Sequence, residues 1–214
     1  EAGEYFAFSK HITDEMTIIP NPLGNDFLYL EKATTRELKI VHVGRLDSQK
    51  NQKMLLHACK DIFYKFPDYI LEIYGDGRLR EELEQLRDEL GLTDKVKFCG
   101  NVPNLRNRIQ RASVFVLSSD YEGMPNALME AMAIGIPVVS TDCPCGGPGY
   151  LIEDGKSGKL VIPGKTEGLS KAVIEVLDNP QEAEGMALHA IERMKEFYPE
   201  AIFPLWEEYV QTYI

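Results

Sequence analysis

From residue 38 onward, short β-rich runs alternate with amphipathic stretches, and this alternation restricts the fold more than any other feature of the chain. A strand followed by a helix is carried back along the sheet and re-enters in the same direction, so the pattern predicts βαβ units around a parallel sheet. The β-rich runs lie at 38–43, 69–74, 95–99, 113–117, 137–140 and 159–162. Between the first three, residues 51–66 place Met54, Leu55, Ala58, Ile62 and Phe66 near a 3.6-residue period, and residues 78–90 repeat it with Leu79, Leu83, Leu86 and Leu90, stopped by Gly91. The fold class is therefore α/β, a Rossmann-like parallel sheet flanked by helices.

The two ends break the alternation. Residues 167–177, 181–196 and 199–213 read as three helical stretches without an intervening strand, and Trp206, with Leu205, Tyr209 and Val210, is expected to anchor the last. At the other end, Thr17-Ile18-Ile19 reads as a strand leading into the turn-rich Pro20-Asn21-Pro22-Leu23-Gly24-Asn25-Asp26, which has the character of a linker. The chain opens on Glu1 in helix-friendly residues, which reads as a piece of a longer protein.

Composition removes several function classes. With 44% hydrophobic residues in 214, the chain can bury a sizeable core. A net charge of −11 argues against nucleic acid as a partner, because that needs a basic face, and means that any bound phosphate is held by a few local cations. No apolar run approaches the roughly 18 residues of a membrane span, and the amino end lacks the basic and apolar regions of a signal peptide, so the reading is cytoplasmic. Cys59, Cys99, Cys143 and Cys145 read as free thiols. Cys143-Pro144-Cys145 has a one-residue gap and no second His/Cys pair, so no zinc is expected. His11, His57 and His189 lack metal or triad spacing, and His42, inside a strand, reads as a packed core histidine.

Ligands of such sheets bind beyond the carboxyl ends of the strands, so the loops there carry the chemistry. The first, Gly44-Arg45-Leu46-Asp47-Ser48-Gln49-Lys50-Asn51, puts two cations in one short loop, either for a phosphate or simply paired with Asp47 and solvent. The second, Gly75-Asp76-Gly77, has Arg80 where a dinucleotide fingerprint needs its third glycine, and a tight turn explains it equally well. Gly164-Lys165-Thr166 has Lys159 where a P-loop needs glycine and reads as a surface turn. Cys145-Gly146-Gly147-Pro148 is a glycine-rich loop, open to a substrate or merely a turn.

The loop after the fourth strand is the most informative. From Ala127 to Ile134 every residue but Glu130 is apolar, so this helix should be buried. A carboxylate there is costly unless hydrogen-bonded, and no Lys or Arg lies within a turn of it. Glu122, in the preceding loop, and Glu130 could bracket an elongated ligand, with Gly123 letting phosphate oxygens approach the helix amino terminus. On physics alone, a phosphorylated, hydroxyl-rich ligand and a structural Glu130 both remain open.

In these residues the chain resembles a known family. Glu122-Gly123-Met124-Pro125-Asn126-Ala127-Leu128-Met129-Glu130 is similar to the E-x7-E signature of retaining GT-B glycosyltransferases of family 4, and Gly44-Arg45-Leu46 with Lys50 to their GRLxxxK motif. Ile73-Tyr74-Gly75-Asp76-Gly77, Val96-Lys97-Phe98-Cys99-Gly100-Asn101-Val102 and Pro137-Val138-Val139-Ser140-Thr141 with Gly146-Gly147-Pro148 follow in register. Ala2-Gly3-Glu4-Tyr5-Phe6 and Ile18-Ile19-Pro20-Asn21-Pro22 resemble the end of the family's acceptor domain and its linker in polysaccharide-assembly members.

The resemblance implies the carboxyl-terminal half of a GT-B fold, acting in polysaccharide biosynthesis. It divides the chain into an acceptor-domain end and linker (1–37), a nucleotide-sugar-binding domain (38–198) and a carboxyl-terminal helix packing back toward an absent amino-terminal domain (199–214). Arg45 and Lys50 would neutralise the diphosphate of a UDP- or GDP-type sugar donor and stabilise it as it leaves, with no other cofactor and no metal. Gly44, Gly75 and Gly77 would lie near the phosphates, and Gly123, Met124, Pro125, Asn126, Ala127 and Leu128 would form the helix start that receives them. Glu130 would take the ribose hydroxyls, Glu122 a hydroxyl of the donor sugar, and Asn101 and Val102 the nucleobase through main-chain groups. The acceptor, a glycan or lipid-linked sugar, would be held by the absent domain, which could also dock on a membrane, and this chain alone would be nearly inactive. Two departures stand out: Asn21-Pro22-Leu23 in the linker, and Gly149-Tyr150 where such members often carry a polar pair. A GT-B nucleotide-sugar epimerase and a non-catalytic nucleotide-binding module are the alternatives.

Overall fold

The computed structural model describes residues 16–212; the motif at 2–6, the opening residue, His11 and the end of the last helix at 213 lie outside that range. Six strands form one sheet: β1 (Glu37–Val43), β2 (Ile70–Tyr74), β3 (Val96–Gly100), β4 (Ala112–Leu117), β5 (Val138–Thr141) and β6 (Lys159–Val161). All neighbours pair in parallel, in the order β3-β2-β1-β4-β5-β6. The fold class expected from the alternation is borne out, and each of the six β-rich runs from residue 38 onward is a strand to within a residue or two.

Because successive strand residues face opposite ways, each strand feeds two cores. Ile40, Val114 and Val116 join the core under α1 (Gln52–Lys65) and α6 (Thr166–Asp178), while Val41, Phe115 and Leu117 join the core under α4 (Asn126–Ala133) and α7 (Pro180–Met194). Helix α1 starts at Asn51, whose left-handed backbone suits asparagine and whose side chain accepts from the Met54 amide at 3.1 Å. Helix α2 (Arg80–Glu89) covers the β2–β3 crossover, burying Leu83. Helix α4 buries Leu128, Met129, Ala131, Met132 and Ala133, as its near-continuous apolar sequence demands.

Three expectations need correction, and one short helix is an addition. Thr17–Ile19 pairs with no strand among the described residues, because β-branched residues make a strand only where an edge is available to bond. Leu105–Ile109 and Gly147–Leu151 are short helices, α3 and α5, which five residues are too few to announce by periodicity. The second begins inside the glycine-rich segment taken as loop, with Pro148 in its first turn, where a missing N–H is harmless. Finally, α8 (Pro199–Gln211) is anchored by Ile202, 2% exposed, whereas Trp206 is 46% exposed and Leu205, Tyr209 and Val210 are also exposed. No helix among the described residues is long and apolar enough to cross a membrane.

Candidate functional site

The strand order reverses between β1 and β4, so the chain leaves their carboxyl ends toward opposite faces and opens a crevice there. The two loops at this point are tied together closely. The Asp120 amide donates to the Gln49 carbonyl at 2.8 Å, the Ser118 hydroxyl to the Lys50 carbonyl at 2.8 Å, and the Asn51 amide group to Asp120 at 2.7 Å. The Gln49 side chain donates to the Tyr121 carbonyl at 3.0 Å.

This stitching brings Lys50 and Glu122 together, 72 residues apart in sequence. Lys50 Nζ lies 2.5 Å from Glu122 Oε1, and the side chains are only 14% and 6% exposed. Burying such a pair is tolerated when further hydrogen bonds satisfy it. Ser119 Oγ supplies one to the same oxygen at 2.6 Å, and Gln49 approaches Oε2 at 3.5 Å. The ammonium has three donors, and among the described residues only Glu122 takes one, so two remain for an anion entering the crevice. The Arg45 side chain, in the same loop, is 74% exposed, and its one ionic partner among the described residues is Asp47, Nε to Oδ2 at 3.6 Å. The sequence reading gave Lys50 and Glu122 separate partners, whereas the structure makes them each other's.

The opposite wall is the start of α4. Pro125 stands at its cap without a side-chain hydrogen bond, and the Asn126 and Ala127 amides donate to no described residue. The space a Cβ would occupy at Gly123 is open, whereas at Gly147 it would fall 1.7 Å from the Gly123 carbonyl oxygen. The β5–α5 loop therefore presses on the back of the β4–α4 loop, which the Glu122 amide reinforces by donating to the Pro144 carbonyl at 2.8 Å. Asn21 of the linker reaches the same helix end, its side-chain amide 3.3 Å from Asn126 Oδ1. One turn inside, Glu130 is half-buried with no hydrogen-bond or ionic partner among the described residues, and burial pushes its carboxyl above the usual range. Met124 and Leu128 carry this loop into the core below.

The remaining expected residues are placed less directly. Gly75 and Gly77 line the β2–α2 loop, but the groups that exclude a Cβ there are the Gly44 and Leu46 carbonyl oxygens, at 2.1 and 2.4 Å. Their glycine requirement comes from loop-on-loop packing, with Gly44 N donating to Tyr74 O and Leu46 N to Asp76 O. Asn101 and Val102 follow β3 at the same sheet edge, with no hydrogen bond to Lys50, Glu122 or Glu130. Gln49, Ser119 and Asn21 belong to the site and escaped notice: Gln49 and Asn21 have partners 73 and 105 residues away, which leaves no local spacing to read, and Ser119, three residues from Glu122, has the look of an ordinary loop serine. Among the described residues no three His, Cys, Asp or Glu side chains could jointly hold a metal ion.

The family model of glycosyl transferases group 1 matches residues 31–193. The chain belongs to that family. An uncharacterized glycosyltransferase of Haemophilus influenzae is 32% identical over 184 residues, 85% of this chain and 51% of that protein. The lipopolysaccharide core biosynthesis glycosyltransferase LpsE of Rhizobium meliloti is 32% identical over 138 residues, 64% of this chain and 39% of that protein. Among solved structures, S. aureus TarM in complex with fondaparinux, alpha-GlcNAc-glycerol and UDP has the same fold, with a TM-score of 0.83 at 20% identity over 92% of this chain and 41% of that one. Anabaena HepE in complex with UDP-glucose superposes with a TM-score of 0.76 at 25% identity, covering 82% of this chain and 49% of that one. The chain spans about half or less of the length of these curated relatives. The two segments that flank the β1–β4 crevice, 44–50 and 122–130, both lie within the matched residues.

Proposed function

We propose that this chain is the donor-binding part of a retaining glycosyltransferase, which moves a sugar from a nucleotide-diphosphate sugar to a glycan or lipid-linked acceptor in polysaccharide assembly. The observation that carries the reading is Lys50. It is fixed at the strand-order reversal by Glu122 and keeps two unused donors beside an exposed Arg45 and the uncapped start of α4.

The chemistry follows from where charge moves. As the bond between the sugar C1 and the diphosphate oxygen breaks, negative charge accumulates on the departing diphosphate. A lysine already held in place stabilises it without reorganising, the exposed arginine of the same loop adds its charge, and the helix-start amides without a described acceptor add to them. Among the described residues the second oxygen of Glu122 has only a long contact to Gln49, so it can accept a donor-sugar hydroxyl, and Glu130, which has no partner among them, suits the ribose hydroxyls. Gly44 and Gly123 allow the phosphates to approach the backbone, while Gly75 and Gly77, Asn101 and Val102 line the nucleotide's path toward β3. Residues 1–37 and 199–214 would belong to the interface with an acceptor-binding domain. Exposed Trp206 and Val210 on α8 are consistent with that.

Saturation-transfer NMR with UDP-glucose, GDP-mannose and ADP-glucose in EDTA tests the reading. One donor should give signals at both ribose and sugar protons and remain unchanged in the tube. No signal from any donor at millimolar concentration, with the chain folded, would overturn it, and conversion of the bound sugar to its epimer would favour an epimerase.

A further inference from the structure

Beneath the cationic loop lies a buried polar pair that the transfer chemistry does not use. His42, near the end of β1, is fully buried, and its Nδ1 lies 2.9 Å from the Val116 carbonyl oxygen. A carbonyl only accepts, so Nδ1 carries the proton and Nε2 is left an acceptor. Gln52, in the first turn of α1 and equally buried, places Nε2 3.2 Å from His42 Nε2 and 2.7 Å from the Arg45 carbonyl oxygen. An amide nitrogen has two hydrogens, and these two acceptors use both.

The connections therefore run from β4 through His42 and Gln52 into the backbone of Arg45, crossing the β1–β4 crevice from below. Desolvation, with Lys50 acting in the same direction, lowers the imidazole pKa to about 4, so the ring stays neutral and keeps its acceptor. Gly44 joins the arrangement, since a Cβ there would lie 3.3 Å from His42 Nε2 and 3.4 Å from Lys50 Cδ. The imidazole and the Lys50 stem thus pack on one side of Gly44. Gln52 Oε1 has no partner among the described residues, where these two donated bonds are what hold its buried amide.

We propose that His42 and Gln52 are positioning residues for the diphosphate cations. By fixing the Arg45 carbonyl and underpinning Gly44, they hold Arg45 and Lys50 at a spacing that lets both address one diphosphate. The inference rests on the donor-site reading and adds to it the element that sets the geometry of its cations. A core pair of purely structural importance would change stability without distinguishing between ligands, whereas a positioning pair changes binding of the diphosphate and spares the nucleoside.

The test is calorimetric titration of the full chain, without metal, comparing the preferred nucleoside diphosphate with its monophosphate. Gln52→Leu keeps the side-chain volume but removes both donors, and should weaken the diphosphate about tenfold and the monophosphate less than about twofold. Equal losses for both ligands, or none, would overturn the inference. If Gln52→Leu does not fold, His42→Asn carries the test. Its amide still donates to Val116, only the acceptor for Gln52 is lost, and a diphosphate-selective loss of about threefold is expected. An unchanged His42→Asn protein would overturn it equally. Should the unaltered chain bind no nucleotide, the donor-site reading falls and takes this inference with it. Binding that depends on Lys50 but not on Gln52 removes the inference alone.

Discussion

Replacing Lys50 by alanine should destabilise the fold as well as empty the anion site, and the structure sets the size of the effect. At 2.5 Å the Lys50–Glu122 attraction is about 6–7 kcal/mol for an effective dielectric near 20, most of it offset by taking both charges out of water. Removing one partner is different, because Glu122, 6% exposed, keeps its desolvation penalty and loses its cation. Breaking buried pairs costs about 3–5 kcal/mol, and the Ser119 hydroxyl at 2.6 Å still serves the carboxylate, so the lower end, about 3 kcal/mol, applies. For a chain of 214 residues that is a fall in Tm of about 6–12 °C. Calorimetric unfolding of Lys50→Ala, Glu122→Gln and the double variant closes the cycle, with a coupling energy of about 2 kcal/mol expected because the neutral amide no longer needs the ammonium. A Lys50→Ala protein within about 0.5 kcal/mol of the original, or a coupling near zero, would refute the claim that the pair is desolvated and mutually dependent.

Three further predictions follow from particular atoms. Gly147→Ala must displace the Gly123 carbonyl and should cost about 3 kcal/mol or more in urea unfolding, whereas Gly123→Ala enters open space, staying within about 0.5 kcal/mol while weakening nucleotide binding. Glu130→Gln should stabilise the ligand-free protein at neutral pH and weaken nucleotide binding. The burial-raised carboxyl penalises the ionised fold above its folded pKa, so the gain should disappear as pH falls below the ordinary carboxylate range, which thermal unfolding between about pH 3 and 8 would show. His42 has a folded pKa of about 4 against roughly 6.5 unfolded, so the unfolded chain takes up its proton first and stability falls as pH drops through that window. The loss is about 3 kcal/mol by pH 4, and it should be absent from His42→Asn in urea unfolding.

The sheet was legible because a buried parallel strand must be a compact apolar run, and six such runs stood between helical periods. Thr17-Ile18-Ile19 has the same local character, but nothing local states whether a neighbouring strand exists. Trp206 misled for a related reason: periodicity defines an apolar face without naming what covers it, and only the first turn of α8, through Ile202, meets the core. In the candidate site, the two cations and Glu122 were singled out by their loops at the strand ends and Glu130 by its isolation in an apolar helix, and motif likeness added their proposed roles. Their mutual arrangement was not readable, since the Lys50–Glu122 bond joins loops 72 residues apart. His42 was read as a core residue, and buried it is, but its tie to Arg45 through Gln52 depends on side-chain directions that spacing does not encode.

The central claim, that Lys50 and the start of α4 hold a nucleoside diphosphate without metal, is tested most directly by titrating UDP, GDP and ADP into the chain in EDTA beside Lys50→Ala and Glu130→Gln. The account predicts that one diphosphate binds selectively and that each substitution weakens it about tenfold or more. Binding that is unchanged by Lys50→Ala, or no binding by a folded chain at millimolar nucleotide, would contradict it.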